Sequence, residues 1–221
     1  MSRTPKWTSK TNKLVRRFGA TLGKNAGCLS NFKRCSISYT PPGGKPGQFS
    51  SSEHIWQSLK ANDRVRQMFL SDGQLDKLNV EIFKRFFPKT APEKLEKKAK
   101  YWKRNASVGI LAKMAANKKY AKRLGIAEGE FKYETEHLPE PELRKIWLPI
   151  LRAKFTQNED MKSELLATKH CYLLEFDRGA GIRDSFWGGM DDVEGNIVGN
   201  NFMGRMLMEV RDELLSKEET E

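Results

Sequence analysis

Residues 50–61, Ser-Ser-Ser-Glu-His-Ile-Trp-Gln-Ser-Leu-Lys-Ala, hold the residue types from which chemistry could be built. Glu53 is the first acidic residue of the chain and follows ten Lys and Arg. At about 100° per residue, Glu53, Gln57 and Lys60 fall on one helical face, with Arg64 following. Ile55, Leu59, Val65 and Phe69 fall on the opposite, apolar face. A carboxylate and an amine one or two turns apart can share one ligand. Ser50-x-x-Glu53 also has the spacing of a capping box, in which the Glu reaches back to the cap's N–H. A lysine on a polar face is ordinarily solvated. Both readings stand on this stretch alone.

The elements that must position these residues can be read in order. Residues 1–13 read as a weakly ordered basic arm. The alternation of Cys35, Ile37 and Tyr39 predicts a short strand, and Pro41-Pro-Gly-Gly44 a turn. A long helix is expected over 51–70, ended by Ser71-Asp-Gly73. Residues 74–104 are Lys-rich and interrupted at Phe86-Phe-Pro88, and a further helix is expected over 108–124. Pro141 starts a helix whose apolar stripe is Leu143, Ile146, Trp147, Ile150, Leu151 and Phe155, with a kink expected at Pro149. A short helix over 159–167, a strand over 171–176 and a last helix over 202–215 follow. Residues 179–204 hold seven of the seventeen glycines, and backbone amides freed by glycine can approach a ligand closely.

The chain has 221 residues and a net charge of +12. Residues 1–24 carry seven Lys and Arg and no acid, and residues 77–122 carry fourteen against three Glu. Blocks of this kind attract polyanions, nucleic acid among them. No run is long and apolar enough to span a membrane, and the N-terminus lacks an apolar leader. Three cysteines without metal-type spacing fit a reduced, cytoplasmic compartment. The three scattered histidines predict no metal site, and no cofactor is expected.

Five motifs occur in order: Leu29-Ser-Asn-Phe32, Ser52-Glu-His-x-x-Gln57-x-x-Lys60, Arg152-Ala-Lys-Phe-x-Gln157, Asp184-x-x-Trp-Gly188 and Asn201-x-x-Gly204-x-x-Leu207-Met-Glu-x-Arg211. As a set they resemble the NADAR (YbiA-like) family. The resemblance covers residues 27–60 and 105–215. It implies a helix-rich α+β fold, a single compact domain with a few short strands over 25–215. A basic arm (1–24), a Lys-rich helical insertion (about 71–100) and an acidic tail (216–221) would be additions to it. Two departures are visible: the family's Trp some eight residues before Trp147 is Pro139 here, and its Thr-Gly pair is Thr168-Lys169. Trp56 or Trp102 is left to supply an aromatic wall.

Family members are N-glycosidases, acting on ribosylamine intermediates of the riboflavin pathway or on ADP-ribose attached to guanine in nucleic acid. The resemblance implies that Glu53 and Lys60 sit at the reacting sugar. Asp184, Trp187 and Gly188 would join them from the Gly-rich loop, with Asn31, Phe32 and Gln57 as further contacts. Asn201 would bind polar ligand atoms or cap the last helix. Breaking a C–N glycosidic bond builds positive charge at C1, which a carboxylate stabilises while an acid assists the leaving base. Glu53 and Asp184 are the candidates. Lys60 would either attack C1 and form a Schiff base, given a lowered pKa, or hold Glu53 as its ion-pair partner. The basic charge favours ADP-ribosylated nucleic acid over a small metabolite. The rivals are the riboflavin-pathway glycosidase and a non-catalytic module that binds ADP-ribose, NAD or nucleic acid.

Overall fold

The computed structural model describes residues 6–8, 13–19, 27–104, 108–132, 137–182 and 184–218. In chain order the strands are β1 (Lys6–Thr8), β2 (Lys13–Phe18), β3 (Ile37–Tyr39), β4 (Gly47–Phe49), β5 (Tyr172–Glu175), β6 (Met190–Asp191) and β7 (Ile197–Val198). The α-helices are α1 (Ser52–Ser58), α2 (Asp63–Arg66), α3 (Val80–Phe86), α4 (Pro92–Arg104), α5 (Gly109–Ala115), α6 (Lys118–Arg123), α7 (Glu140–Thr156), α8 (Glu159–Leu166) and α9 (Phe202–Glu218). The class is helix-rich α+β, as the sequence implies. Two units divide the chain, residues 31–158 and residues 1–30 with 159–221.

In the unit 31–158, β3 and β4 pair antiparallel with Ile37 opposite Phe49. Their turn closes through Gly44 N–H donating to the Pro41 carbonyl at 2.9 Å. The helix expected over 51–70 is two helices. The N–H groups of Lys60 and Ala61 donate three residues back, to the carbonyls of Gln57 and Ser58, which tightens the last turn. Asn62 then restarts the chain as a cap, its Oδ1 accepting from Val65 N–H at 3.0 Å, with Asp63 in the first turn of α2. The expected helix over 108–124 divides in the same way at Asn117, whose side chain accepts from Lys119 N–H. α7 runs on through Pro149, which lies on its exposed side.

The Lys-rich stretch expected as an insertion shares its core with the segments on either side. Leu75, Phe83, Phe86 and Leu95 pack in one cluster with Val65, Phe69, Leu111, Leu124 and Phe131. On α4, Leu95 and Ala99 are buried and Trp102 packs against the same cluster. The other faces carry Lys94, Lys97, Lys98, Lys100, Lys103 and Arg104. Like charges three or four residues apart oppose a helix by roughly 0.2–0.5 kcal/mol per pair, so this helix holds by its packing and despite its charge.

In the other unit, β1, β2 and β5 form a sheet in that order, β1 antiparallel and β5 parallel to β2. This corrects the arm expected over residues 1–24, because Lys13–Phe18 is the middle strand. Val15 and Phe18 are buried in the core. Arg16 pairs with Glu164 at 2.8 Å and Arg17 Nε donates to Asp191 at 2.9 Å. The neutralising acids come from far along the chain, which is why the stretch looks uncompensated locally. Residues 1–5, 9–12 and 20–24 of the expected arm lie outside the described residues, as do 219–221 of the expected tail. Residues 216–218 are the last turn of α9. α9 packs against β5 and α8, and its expected stripe of Met203, Met206, Leu207, Val210 and Leu214 is buried.

Lys169, where the resemblance implies glycine, adopts φ 45°, a left-handed conformation costly for a side chain with a Cβ. The residue is exposed. Lys169→Gly is therefore expected to raise stability by about 1 kcal/mol, the strain released less the entropy gained by the unfolded chain. Chemical denaturation of the two proteins, with an unchanged m-value, measures it. Among the described residues, no helix is long and apolar enough to cross a membrane.

Candidate active site

α1 begins after Ser51, whose side chain accepts from His54 N–H at 3.3 Å. The cap is thus Ser51 rather than Ser50, and Glu53 is not the partner in a capping box. Its own N–H donates to the Asn31 carbonyl at 3.1 Å, which ties the Asn31–Phe32 loop to the first turn of the helix. Ser52 Oγ donates to the Asn31 side-chain oxygen at 3.1 Å.

The expected face forms, and it points inward. Glu53 is 6% exposed, Gln57 2% and Lys60 1%. Gln57 Nε2 donates to Glu53 Oε1 at 2.8 Å, one turn along the helix. Among the described residues, the buried Gln57 Oε1 accepts no hydrogen bond. Lys60 Nζ lies over the Trp56 ring, 4.3 Å from its centroid, an arrangement that attracts a cation. Trp56 in turn meets Trp147 of α7 at 5.3 Å between centroids. The unit thus brings together Asn31, Phe32, Glu53, Trp56, Gln57 and Lys60. Arg64, expected to follow on that face, is instead exposed and held by Glu130 through two of its nitrogens.

Three residues to which the sequence analysis assigned no site role contribute to this region. Gly109 opens α5 against the site. A Cβ there would meet Phe32 Cα at 2.8 Å, Glu53 Cβ at 3.0 Å and Ser51 Oγ at 3.0 Å, so only glycine allows this approach. Gly109 N–H also donates to the Phe32 carbonyl at 3.1 Å. Trp147 backs Trp56, and Lys154 of α7 is fully buried beside Phe155, its Nζ 4.9 Å from the ring centroid. Its place inside an otherwise apolar stripe was the signal: a lysine at a core position needs a reason.

The remaining expected site residues belong to the other unit. Asp184 is exposed. Trp187 is half-buried and meets Phe186 and Phe202 edge-on at 5.3 and 5.5 Å. Gly188 passes so close to β5 that a Cβ would strike the Glu175 carbonyl at 2.4 Å. Asn201, at φ 52°, donates from Nδ2 to the Leu173 carbonyl at 2.8 Å and accepts from Glu175 N–H at 3.0 Å. The Asn201 side chain is thereby committed to the backbone of β5, and it fastens the start of α9 to that strand. The side chain is therefore not the helix cap expected of it.

His54 is fully buried on α1, with Nε2 donating to the Leu75 carbonyl at 3.3 Å and Nδ1 accepting from Ser51 Oγ at 2.8 Å. Burial pulls its pKa from 6.5 down to about 4, and the Arg34 charge acts in the same direction. The Leu75 carbonyl and Asp76 oppose that fall. Between those two values the unfolded chain binds a proton that the folded chain refuses. The stability that His54 contributes is therefore complete above pH 6.5 and is lost as pH falls towards 4. The loss amounts to roughly 3 kcal/mol. Denaturation curves at pH 7.5, 6 and 5 should show the decline in the native chain, and His54→Gln should flatten it.

No curated protein matches the chain. Among solved structures, the chain is similar to the E. coli protein YbiA, determined by NMR. The TM-score is 0.49 at 23% identity, over 92% of this chain and 86% of that one. The NADAR domain model matches residues 17–215, from the end of β2 into α9 and across both units. That span includes every residue assigned above to the candidate site, and the chain belongs to the NADAR family.

Proposed function

We propose that the protein is an N-glycosidase that removes ADP-ribose from a modified guanine base in nucleic acid. The observation that carries this reading is the burial of Glu53, Gln57 and Lys60, the first two on α1 and the third in the tight turn that ends it. Burying a carboxylate, an amide and an amine so close together costs stability that apolar side chains would not. A helix serving only the fold has no need of them. Membership of the NADAR family and the charge of +12 support the substrate class.

In this mechanism Glu53 stabilises the positive charge that grows at C1 as the C–N bond breaks and its electron pair leaves with the base. The departing nitrogen takes up the proton that the Lys60 amine sheds on joining C1. Lys60 supplies the nucleophile: its amine joins C1, the ring opens to an imine, and water then hydrolyses the imine to return the amine and the free sugar. The Trp56 ring lies beside Lys60 and is backed by Trp147, the two rings tilted by 35°. The test is to incubate DNA bearing ADP-ribosylguanine with the protein and measure free ADP-ribose and restored guanine. Release at low salt is the expected result. Release of ribose 5-phosphate from riboflavin-pathway ribosylamines, with none from DNA, would move the protein to metabolite chemistry.

A further inference from the structure

The net charge of +12 has one main source. Residues 80–123 carry fourteen Lys and Arg against Glu81, Glu93 and Glu96. About a fifth of the chain therefore holds all but one unit of the net charge. Thirteen of those fourteen cations are exposed, Lys98 alone being half-buried under Phe87. On α4, Lys97, Lys100 and Arg104 recur at i, i+3 and i+7, on the side away from the buried Leu95 and Ala99. They span about 10 Å at 1.5 Å per residue. Beside this row Tyr101 is 40% exposed, its ring edge-on to Trp102 at 5.1 Å.

We infer that this face of α4 is a docking surface for single-stranded nucleic acid. A row of cations matches a phosphate backbone, and an exposed ring beside the row offers a stacking platform for one base. An acidic polypeptide would satisfy the cations but offers no base to lie on the exposed part of the Tyr101 ring. The repulsion within α4 also gains a purpose, since phosphates relieve it. The surface connects to the candidate site within one unit. α5 packs by Leu111 and Ala112 into the cluster that seats α4, its Gly109 abuts Phe32 and Glu53, and its exposed Lys113 lies over the Phe32 ring at 5.5 Å. A strand held on α4 would thus lie against the unit that carries Glu53. The inference takes its choice of polymer from the proposed substrate, but binding is measurable without turnover.

The test is fluorescence anisotropy of labelled oligo(dT) with the full chain, the Lys97→Glu, Lys100→Glu, Arg104→Glu triple variant, and Tyr101→Ala. Three lost phosphate contacts should weaken binding at least 30-fold at about 50 mM salt and reduce the slope of log K against log salt by about 2. Tyr101→Ala should weaken binding about fivefold and leave the slope alone, as a lost stack does. The conservative exchange Lys97→Arg, Lys100→Arg, Arg104→Lys should bind as the native chain does. In turnover, the triple variant should raise KM on an ADP-ribosylated oligonucleotide and leave an ADP-ribosylated mononucleotide unaffected. Three results would each overturn the inference: a native chain indifferent to oligo(dT), a charge-reversed variant that binds undiminished, or polyglutamate competing as well as oligo(dT). A chain that binds oligo(dT) as expected and releases no ADP-ribose would leave the surface standing and remove the glycosidase reading.

Discussion

Glu53→Gln is expected to lower kcat on an ADP-ribosylated base by about a hundred- to a thousandfold and to leave KM within a few-fold. The carboxylate's charge matters most when C1 is most positive, and an interaction made chiefly in the transition state appears in kcat. The magnitude is that of removing one preorganised electrostatic group from a water-poor site. The substitution is suited to the surroundings. Gln57 Nε2 now donates to Glu53 Oε1 at 2.8 Å, and the oxygen of an introduced amide can accept the same bond. A buried amide also costs less to desolvate than a buried carboxylate, so the variant should melt no lower than the native protein. Steady-state kinetics beside a thermal melt separate the two effects. If kcat falls less than tenfold while the melt is unchanged, Glu53 is a structural carboxylate and the charge at C1 is met elsewhere.

Gly109→Ala would disturb the same centre from behind. The new methyl has no room between Phe32 Cα and Glu53 Cβ, and the backbone on one side cannot turn away as a side chain would. This residue illustrates what the sequence could and could not reveal. The face of Glu53, Gln57 and Lys60 was legible because helical periodicity alone places those three together. The strand at Ile37–Tyr39, the stripe of α9 and the buried side of α7 were legible for the same reason. Gly109 was not, because its importance lies in a contact across more than fifty residues of chain, and a glycine at the start of a helix has no local signature for that. β2 was hidden by its own arginines, whose partners Glu164 and Asp191 lie far away in sequence. The break after α1 was legible in principle: Asn62-Asp63 is a cap followed by an acid, and the continuous apolar pattern through Val65 and Phe69 outweighed it. The direction in which a polar face points is the harder quantity. Lys60 looks solvated in the sequence and is 1% exposed in the structure, because β4, α5 and α7 all pack around α1.

Lys60 is where the covalent and electrostatic readings part, and three substitutions separate them. In the covalent reading the amine adds to the aldehyde of ADP-ribose, water leaves, and borohydride reduces the imine to a stable secondary amine. Peptide mapping of the reduced native protein is then expected to place the sugar on Lys60. Lys60→Met keeps an unbranched apolar stem, one atom shorter, over Trp56, and it should abolish trapping and lower kcat at least a hundredfold. Lys60→Arg keeps a positive charge over the same ring, 4.3 Å from the centroid in the native protein, and cannot form the imine. If Lys60 acts only as a charge beside Glu53, the Arg variant should retain most of the activity and the Met variant should not. If it acts as a nucleophile, Arg and Met should fail alike. Lys154 makes the experiment more exacting, because it too is a fully buried amine within the same unit. An adduct mapped to Lys154 would transfer the covalent step to α7 and leave Lys60 as the electrostatic partner, whereas an adduct on Lys60 that survives Lys154→Met fixes the nucleophile in the turn that ends α1.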